Sequence, residues 1–219
     1  LDMTLAEENY LKAIYHLETK FTKEVSTNAI AEAMETKPSS VTDMVQKLAE
    51  KKLLSYQKYK GTQLTEGGRK IAAKVVRKHR LWEVFLVDKL NFQWDEVHEI
   101  AEQLEHIKSD ELIVRLDKYL GCPEFDPHGD PIPDEHGNIK SSKKKLLAEI
   151  EKNQQGICVG VKESSTEYLR YLDKKKIGIG SEITVVSKEY FDGSMVIEVG
   201  PDQFSISKKI AENLYVQAN

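Results

Sequence analysis

The sequence predicts a mainly α-helical chain that ends in a small β domain. Three observations carry this expectation. Apolar residues recur at helical spacing from Leu11 to about Gly121. Four of the six prolines then gather in GCPEFDPHGDPIPDEHGNIK, which has the composition of a linker. Beyond about Gly156 the pattern changes to short β-branched runs bounded by turn residues: GICVGVKE, EITVVSKEY, SMVIEVG and QFSIS. With 219 residues, 40% hydrophobic and 31% charged, the chain can fill one large core or two to three small ones. The expected segments are 1–65, 66–140 and 150–219.

The first segment opens on a capping box, Thr4-Leu5-Ala6-Glu7. Leu11, Ile14 and Tyr15 then mark the inward stripe of a helix. A short helix follows over about Thr27–Glu35, with Ile30 and Met34 on one side. Pro38 suits the first turn of a third helix, because its missing N–H has no partner there anyway. Val41, Met44, Val45 and Leu48 form its buried stripe, and Ser39, Ser40, Thr42, Asp43, Gln46 and Lys47 the opposite face. LLSYQKY and TQLT flank a Lys60-Gly61 turn and read as a hairpin.

Helix, short turn, helix and basic hairpin is the order of a winged helix-turn-helix, whose second helix of the pair enters the major groove. Small hydroxyls and Gln46 can reach base edges and phosphates, and Lys58 and Lys60 can meet the backbone. Charge agrees. Residues 1–80 hold 15 Lys and Arg against 10 Asp and Glu, a net of +5, and the remainder carries −9, which together make the chain's −4. The candidate DNA-binding residues are therefore Pro38, Ser39, Ser40, Thr42, Asp43, Gln46, Lys47, Lys58 and Lys60. A three-helix scaffold that binds protein is the other reading.

The second segment is helical. Thr65 caps a helix over Glu66–Leu90, a second covers about Asp95–Ile107, and Ser109 caps a third that stops at Gly121. Phe85, Leu86, Val87, Leu90, Phe92 and Trp94 exceed what one stripe needs, which predicts a subunit contact in a symmetric dimer. After the Pro-rich linker, Lys143-Lys144-Lys145 begins a short helix to about Asn153. The last segment reads as a small antiparallel barrel, with SSTEYLRYLDKKK as a helix between its first two strands. No apolar run approaches the ~20 residues of a membrane helix. No signal peptide is expected from Leu1–Tyr10. Cys122 and Cys158 form no CxxC pair, so a reducing cytoplasm is the default.

The stretch HRLWEVFLVDKLNFQWDEVHEIAEQLEH carries the chemistry. At 100° per residue, His98, Glu102, Glu105 and His106 fall in one sector roughly 100° wide. His79 and Glu83 stand one turn apart on the preceding helix. Carboxylates crowded with imidazoles on one face repel when charged, and a divalent ion removes that cost. Mixed nitrogen and oxygen donors suit Mn, Fe, Co, Ni or Zn. A solvated acidic face is the bland alternative. His16, His128 and His136 lack such neighbours and read as solvated. His98-Glu99-Ile100-Ala101-Glu102 is similar to the zinc-protease HExxH but ends in Glu, and paired Glu-x-x-His motifs, a P-loop, GxGxxG and GxSxG are absent. The expectation is a protein that is not an enzyme. The competing reading is a helical metalloenzyme with an adaptor domain that binds DNA or protein.

KPSSVTDMVQKL, RKHRLWEVFL, VHEIAEQLEH, Ser109-Asp110-Glu111 and PHGDPIP resemble the diphtheria-toxin-repressor family of metal-dependent transcription regulators, in its longer form with a C-terminal SH3-like β-barrel. The resemblance implies a cytoplasmic homodimer, one or two dimers per palindromic operator, repressing metal-uptake genes when loaded with Mn(II) or Fe(II); Co(II), Ni(II) or Zn(II) would substitute in vitro. It implies a primary site of Asn9, Glu102, Glu105 and His106. It implies an ancillary site of His79, Glu83 and His98, completed by Glu167, with Ser164 as the other candidate. Iron-sensing members carry Cys where this chain has Glu102, whereas manganese sensors carry Glu, so Mn(II) is the expected ion. The family usually has Met or Asp at Asn9. Lys12 stands where short manganese sensors have a ligating Glu, so their paired-metal arrangement is not expected.

Overall fold

The computed structural model describes residues 3–20, 24–57, 60–140 and 143–218. Lys58 lies outside the described residues. Two compact units share the chain. One comprises Leu1–His79, Leu104–Ser109 and Pro133–Ile139, and the other Arg80–Gln103, Asp110–Ile132 and Lys140–Asn219.

In the first unit, α1 (Leu5–Lys20), α2 (Thr27–Ala33) and α3 (Pro38–Glu50) precede a hairpin of β1 (Leu54–Gln57) and β2 (Gly61–Leu64). The capping box is made: Thr4 N–H donates to Glu7 Oε2 at 2.9 Å and Glu7 N–H to Thr4 Oγ1 at 3.3 Å. α2 ends two residues early because Glu35 turns into the left-handed region at φ 48°. Pro38 occupies the first turn of α3, as its geometry favours. Leu11, Ile14, Ile30, Val41, Val45 and Leu48 meet in one core. Val25 pairs with Thr62 in an isolated antiparallel bridge beside the hairpin. Gly61, at φ 125°, turns the hairpin, and a Cβ there would lie 2.9 Å from the Val25 carbonyl oxygen. The first part of α4 (Glu66–Leu90) completes this unit, with Thr65 Oγ1 accepting from Gly68 N–H at 3.1 Å.

In the second unit, α5 runs only over His98–Leu104, shorter than the sequence suggested. A turn closed by Glu96 N–H on the Gln93 carbonyl precedes it. A tight turn closed by Ile107 N–H on the Leu104 carbonyl follows it, in the other unit. Glu105 and His106 therefore stand in that turn and not within α5 itself. α6 spans Asp110–Tyr119 and stops at Gly121, φ 79°. The Pro-rich stretch is a loop built on Asp-led turns, as in Asp126 Oδ1 accepting from His128 and Asp130 N–H, both at 2.9 Å.

The helix expected over 143–153 is instead β3 (Lys145–Leu146) and a 3-10 turn (Leu147–Glu149). Pairing of β3 with the last strand, far away in sequence, overrides local helical propensity. Next come β4 (Gln155–Val161), α7 (Thr166–Lys174), β5 (Glu182–Lys188), β6 (Met195–Val199), β7 (Asp202–Ile206), α8 (Lys208–Ala211) and β8 (Leu214–Ala218). The six strands form one antiparallel sheet in the order β3-β8-β4-β5-β6-β7, bent by register shifts at Cys158/Gly160 and Val185/Ser187. Tyr168, Leu169 and Leu172 of α7 close its core with Ile183, Ile197 and Val216. Both cysteines are free, Cys158 in this core and Cys122 exposed. No helix among the described residues is long and apolar enough to cross a membrane.

Glu7 ties α1 to α3, meeting Lys51 at 2.6 Å and Lys47 at 3.1 Å. Burial raises its pKa, but Lys51, the Thr4 N–H and Lys47 outweigh burial and lower the carboxyl from 4.5 to about 2. A depressed carboxylate contributes stability above its unfolded pKa and loses it as pH falls through the folded one. Circular-dichroism melts should show this contribution intact above pH 4.5 and fading toward pH 2. Glu7→Gln should lower Tm at pH 7 and flatten that acid-side slope.

Candidate metal centres and DNA-contacting face

The first cluster lies wholly in the first unit, where α1, α4 and the turn after α5 meet. Glu105 is 0% exposed. Lys12 Nζ donates to its Oε1 at 2.7 Å and its Oε2 at 2.8 Å, and His79 Nδ1 stands 2.6 Å from Oε2. His106 places Nε2 3.6 Å from Glu105 Oε1 and Nδ1 2.6 Å from Glu8 Oε2. Asn9, next to Glu8 on α1, has a buried Oδ1 with no hydrogen-bond partner. A buried amide oxygen without a donor costs free energy unless something else takes its lone pair. Two carboxylates and two imidazoles, with that orphan on the residue next to Glu8, offer oxygen and nitrogen donors of the kind that suit divalent first-row cations. The residues present fit such an ion.

The second cluster lies in the second unit, centred on buried Glu83 of α4. Its Oε1 is 3.5 Å from His98 Nδ1, and its Oε2 is 3.7 Å from His128 Nδ1. Glu83, Asp126 and His128 place donor atoms within 4.8 Å of one another, all three residues buried. His128 Nε2 donates to the Trp94 carbonyl at 2.8 Å and its ring stacks on the indole. That bond leaves Nδ1 directed at Glu83, the orientation a ligating imidazole adopts. Burial would lower the His128 pKa, but Glu83, Asp126 and the Trp94 carbonyl raise it to about 9. Burial, Glu83 and Asp130 push Asp126 up, against Arg80, which is 3.4 Å away, and His128. Without a bound cation this cluster therefore holds extra protons, as crowded buried carboxylates must.

Of the expected primary set, Asn9, Glu105 and His106 belong to the first unit, and Glu102, on α5, has Oε1 3.8 Å from His98 Nε2. Of the expected ancillary set, Glu83 and His98 meet at 3.5 Å, and His79, one turn before Glu83 on α4, has Nδ1 2.6 Å from Glu105 Oε2. Glu167 is exposed in the first turn of α7 and joins no cation-holding group among the described residues; Ser164 is exposed as well. His128 is not a solvated histidine: it is 5% exposed and faces carboxylates. Helical spacing could not reveal Asp126 and His128, because they sit on a loop. The available signal was a histidine flanked by two aspartates inside the DPHGD turn. Glu8 was missed too, although it shares one face of α1 with Lys12, four residues on.

On α3, Pro38, Ser39, Ser40, Asp43, Gln46 and Lys47 are exposed, opposite buried Val41, Val45 and Leu48. Thr42 turns back to the Pro38 carbonyl at 3.0 Å, so its hydroxyl is already committed. Lys47 is shared with Glu7. Lys60 is exposed at the hairpin turn.

Known proteins place this geometry in context. Residues 2–62 match the iron dependent repressor N-terminal DNA binding domain, 65–134 the iron dependent repressor metal binding and dimerisation domain, and 145–218 the FeoA domain. The iron-dependent repressor IdeR of Mycobacterium tuberculosis is 38% identical over 126 residues, 58% of this chain and 54% of that protein. The aligned part thus spans about half the length of the curated relatives it matches. A manganese-dependent transcriptional repressor, solved with manganese, superposes with a TM-score of 0.87 at 32% identity, covering 97% of this chain and 100% of that one. ScaR with bound zinc gives 0.77 at 35% identity, covering 96% of this chain and 98% of its own. With the DNA-binding, metal-binding and FeoA parts all matched in order, the chain belongs to the diphtheria-toxin-repressor family of iron- and manganese-dependent repressors.

Proposed function

We propose that this protein represses transcription by binding palindromic operator DNA as a homodimer when loaded with Mn(II), Fe(II) being the alternative ion, and thereby controls metal uptake. The observation that supports it most is the double attachment of α1. Through Glu7 it holds Lys47 of the candidate recognition helix and Lys51 at that helix's end, and one residue later it presents Glu8 to His106, with Asn9 and its unpartnered Oδ1 next in the chain. Whatever Glu105 and His106 hold is therefore coupled to the position of α3.

Asn9, Glu105 and His106, with Glu8 beside them and Glu102 three residues away in the chain, would hold the regulatory ion. Glu83, His98, Asp126 and His128 would hold a second, with His79 one turn from Glu83 on α4. The ion supplies a compact double positive charge for carboxylates that burial otherwise leaves repelling one another. Both sets lack cysteine, which favours a hard ion such as Mn(II). In a dimer, fixing α1 would set the separation of the two α3 helices to successive major grooves, about 34 Å apart. Ion at 100 times its dissociation constant stabilises the binding-competent form by about 2.7 kcal/mol.

Fluorescence anisotropy with operator DNA should show binding that needs Mn(II) or Fe(II). Undiminished binding in chelator would remove the metal from the mechanism. His106→Ala should abolish the metal requirement's effect by abolishing binding, with the dimer intact on size exclusion. Gln46→Ala should weaken specific binding by about 1–3 kcal/mol while leaving Mn(II) affinity unchanged. Glu83→Gln should lower the Mn(II) stoichiometry by one per chain, read by calorimetry, without removing the ion that depends on His106.

A further inference from the structure

We propose that Lys12 is a tethered cation that neutralises Glu105 in the metal-free protein and must leave before Glu105 can ligate, so that the chain carries its own competitor for the metal. The proposal rests on the reading that Glu105 and His106 hold the regulatory ion.

The geometry distinguishes a competitor from a supporting residue. A lysine that merely orients a ligating carboxylate engages one oxygen and leaves the other to the metal. Lys12 Nζ instead bridges both, at 2.7 Å and 2.8 Å. His79 Nδ1 takes a further position on Oε2, and His106 Nε2 faces Oε1 from 3.6 Å. An ion bound to Oε1 at about 2.2 Å would lie at most about 5 Å from the ammonium. Two like charges at that separation repel far more strongly here than in water, because the Lys12 side chain is 12% exposed and that of Glu105 0%. Meanwhile Asn9 Oδ1, buried one turn before Lys12, has no partner. The arrangement thus satisfies Glu105 internally while leaving a neighbouring donor idle.

Lys12 also reaches Glu105 from α1, the helix that Glu7 couples to α3. In the metal-free protein the ammonium is the cationic link between α1 and the turn after α5. Displacing it exchanges that flexible link for one that also engages Asn9. The apparent affinity for the ion then equals the intrinsic one reduced by the fraction of molecules in which Lys12 has already left. Lys12 so sets the metal concentration at which the protein responds.

The test is Mn(II) titration of the full chain, following free Mn(II) by electron paramagnetic resonance, with Tm measured in chelator. Lys12→Met and Lys12→Gln should bind Mn(II) at the His106-dependent site about tenfold or more tightly than the unsubstituted chain, since a buried pair no longer has to be broken. Both should melt at lower temperature in chelator and gain more from Mn(II). Lys12→Arg should restore the weaker binding. Equal or weaker Mn(II) binding in both neutral variants would overturn the competitor role and leave the metal site standing. If His106→Ala loses no Mn(II), the metal reading of the site has failed and the proposal with it.

Discussion

A carboxylate with no exposed surface must meet positive charge or give up its own, and Glu105 is placed where that demand organises its surroundings. Lys12 comes to it from α1, His79 from α4, and His106 from the same turn. Two segments distant in sequence, and the anion's own neighbour, are drawn to one carboxylate. α3, with its exposed polar face, is fastened to the same α1 by a second buried carboxylate, Glu7, through Lys47. Glu7 and Glu105 thus give α1 two charged attachments, one toward α3 and one toward the turn after α5.

The second cluster solves the same electrostatic problem with other means. Glu83 and Asp126 are opposed by Arg80 and by a histidine held at raised pKa. The loop that delivers Asp126 and His128 is fixed in turn to the β domain, where Val161 N–H donates to the His128 carbonyl at 2.9 Å. Gly129 and Gly160 permit that approach: a Cβ on Gly129 would sit 2.0 Å from the Val159 carbonyl oxygen. The β domain therefore contributes to this cluster by positioning the loop's backbone.

Much of the fold was legible because it follows from local rules. The capping box at Thr4, proline at the start of α3, glycine at the hairpin turn and the end of α6 all act within a few residues. What was not legible depended on distant partners. β3 looked helical because its pairing strand lies about seventy residues later in the chain. α5 was expected to run on to Ile107 because nothing in EQLEHIKS announces a turn at Glu105.

The sequence by itself determined which donors are available. Histidines, glutamates and aspartates without a cysteine among them make the available donors nitrogen and oxygen, and the exposed polar face of α3 follows from its apolar period. Tertiary structure alone decided how those donors are divided. Buried charge is neutralised by whatever lies within a few ångströms in space, so Lys12 and Glu8 join Glu105 and His106, and Asp126 and His128 join Glu83. Spacing along a helix measures angle and rise within one element. It contains no information about the loop, or the neighbouring helix, that comes to rest against it.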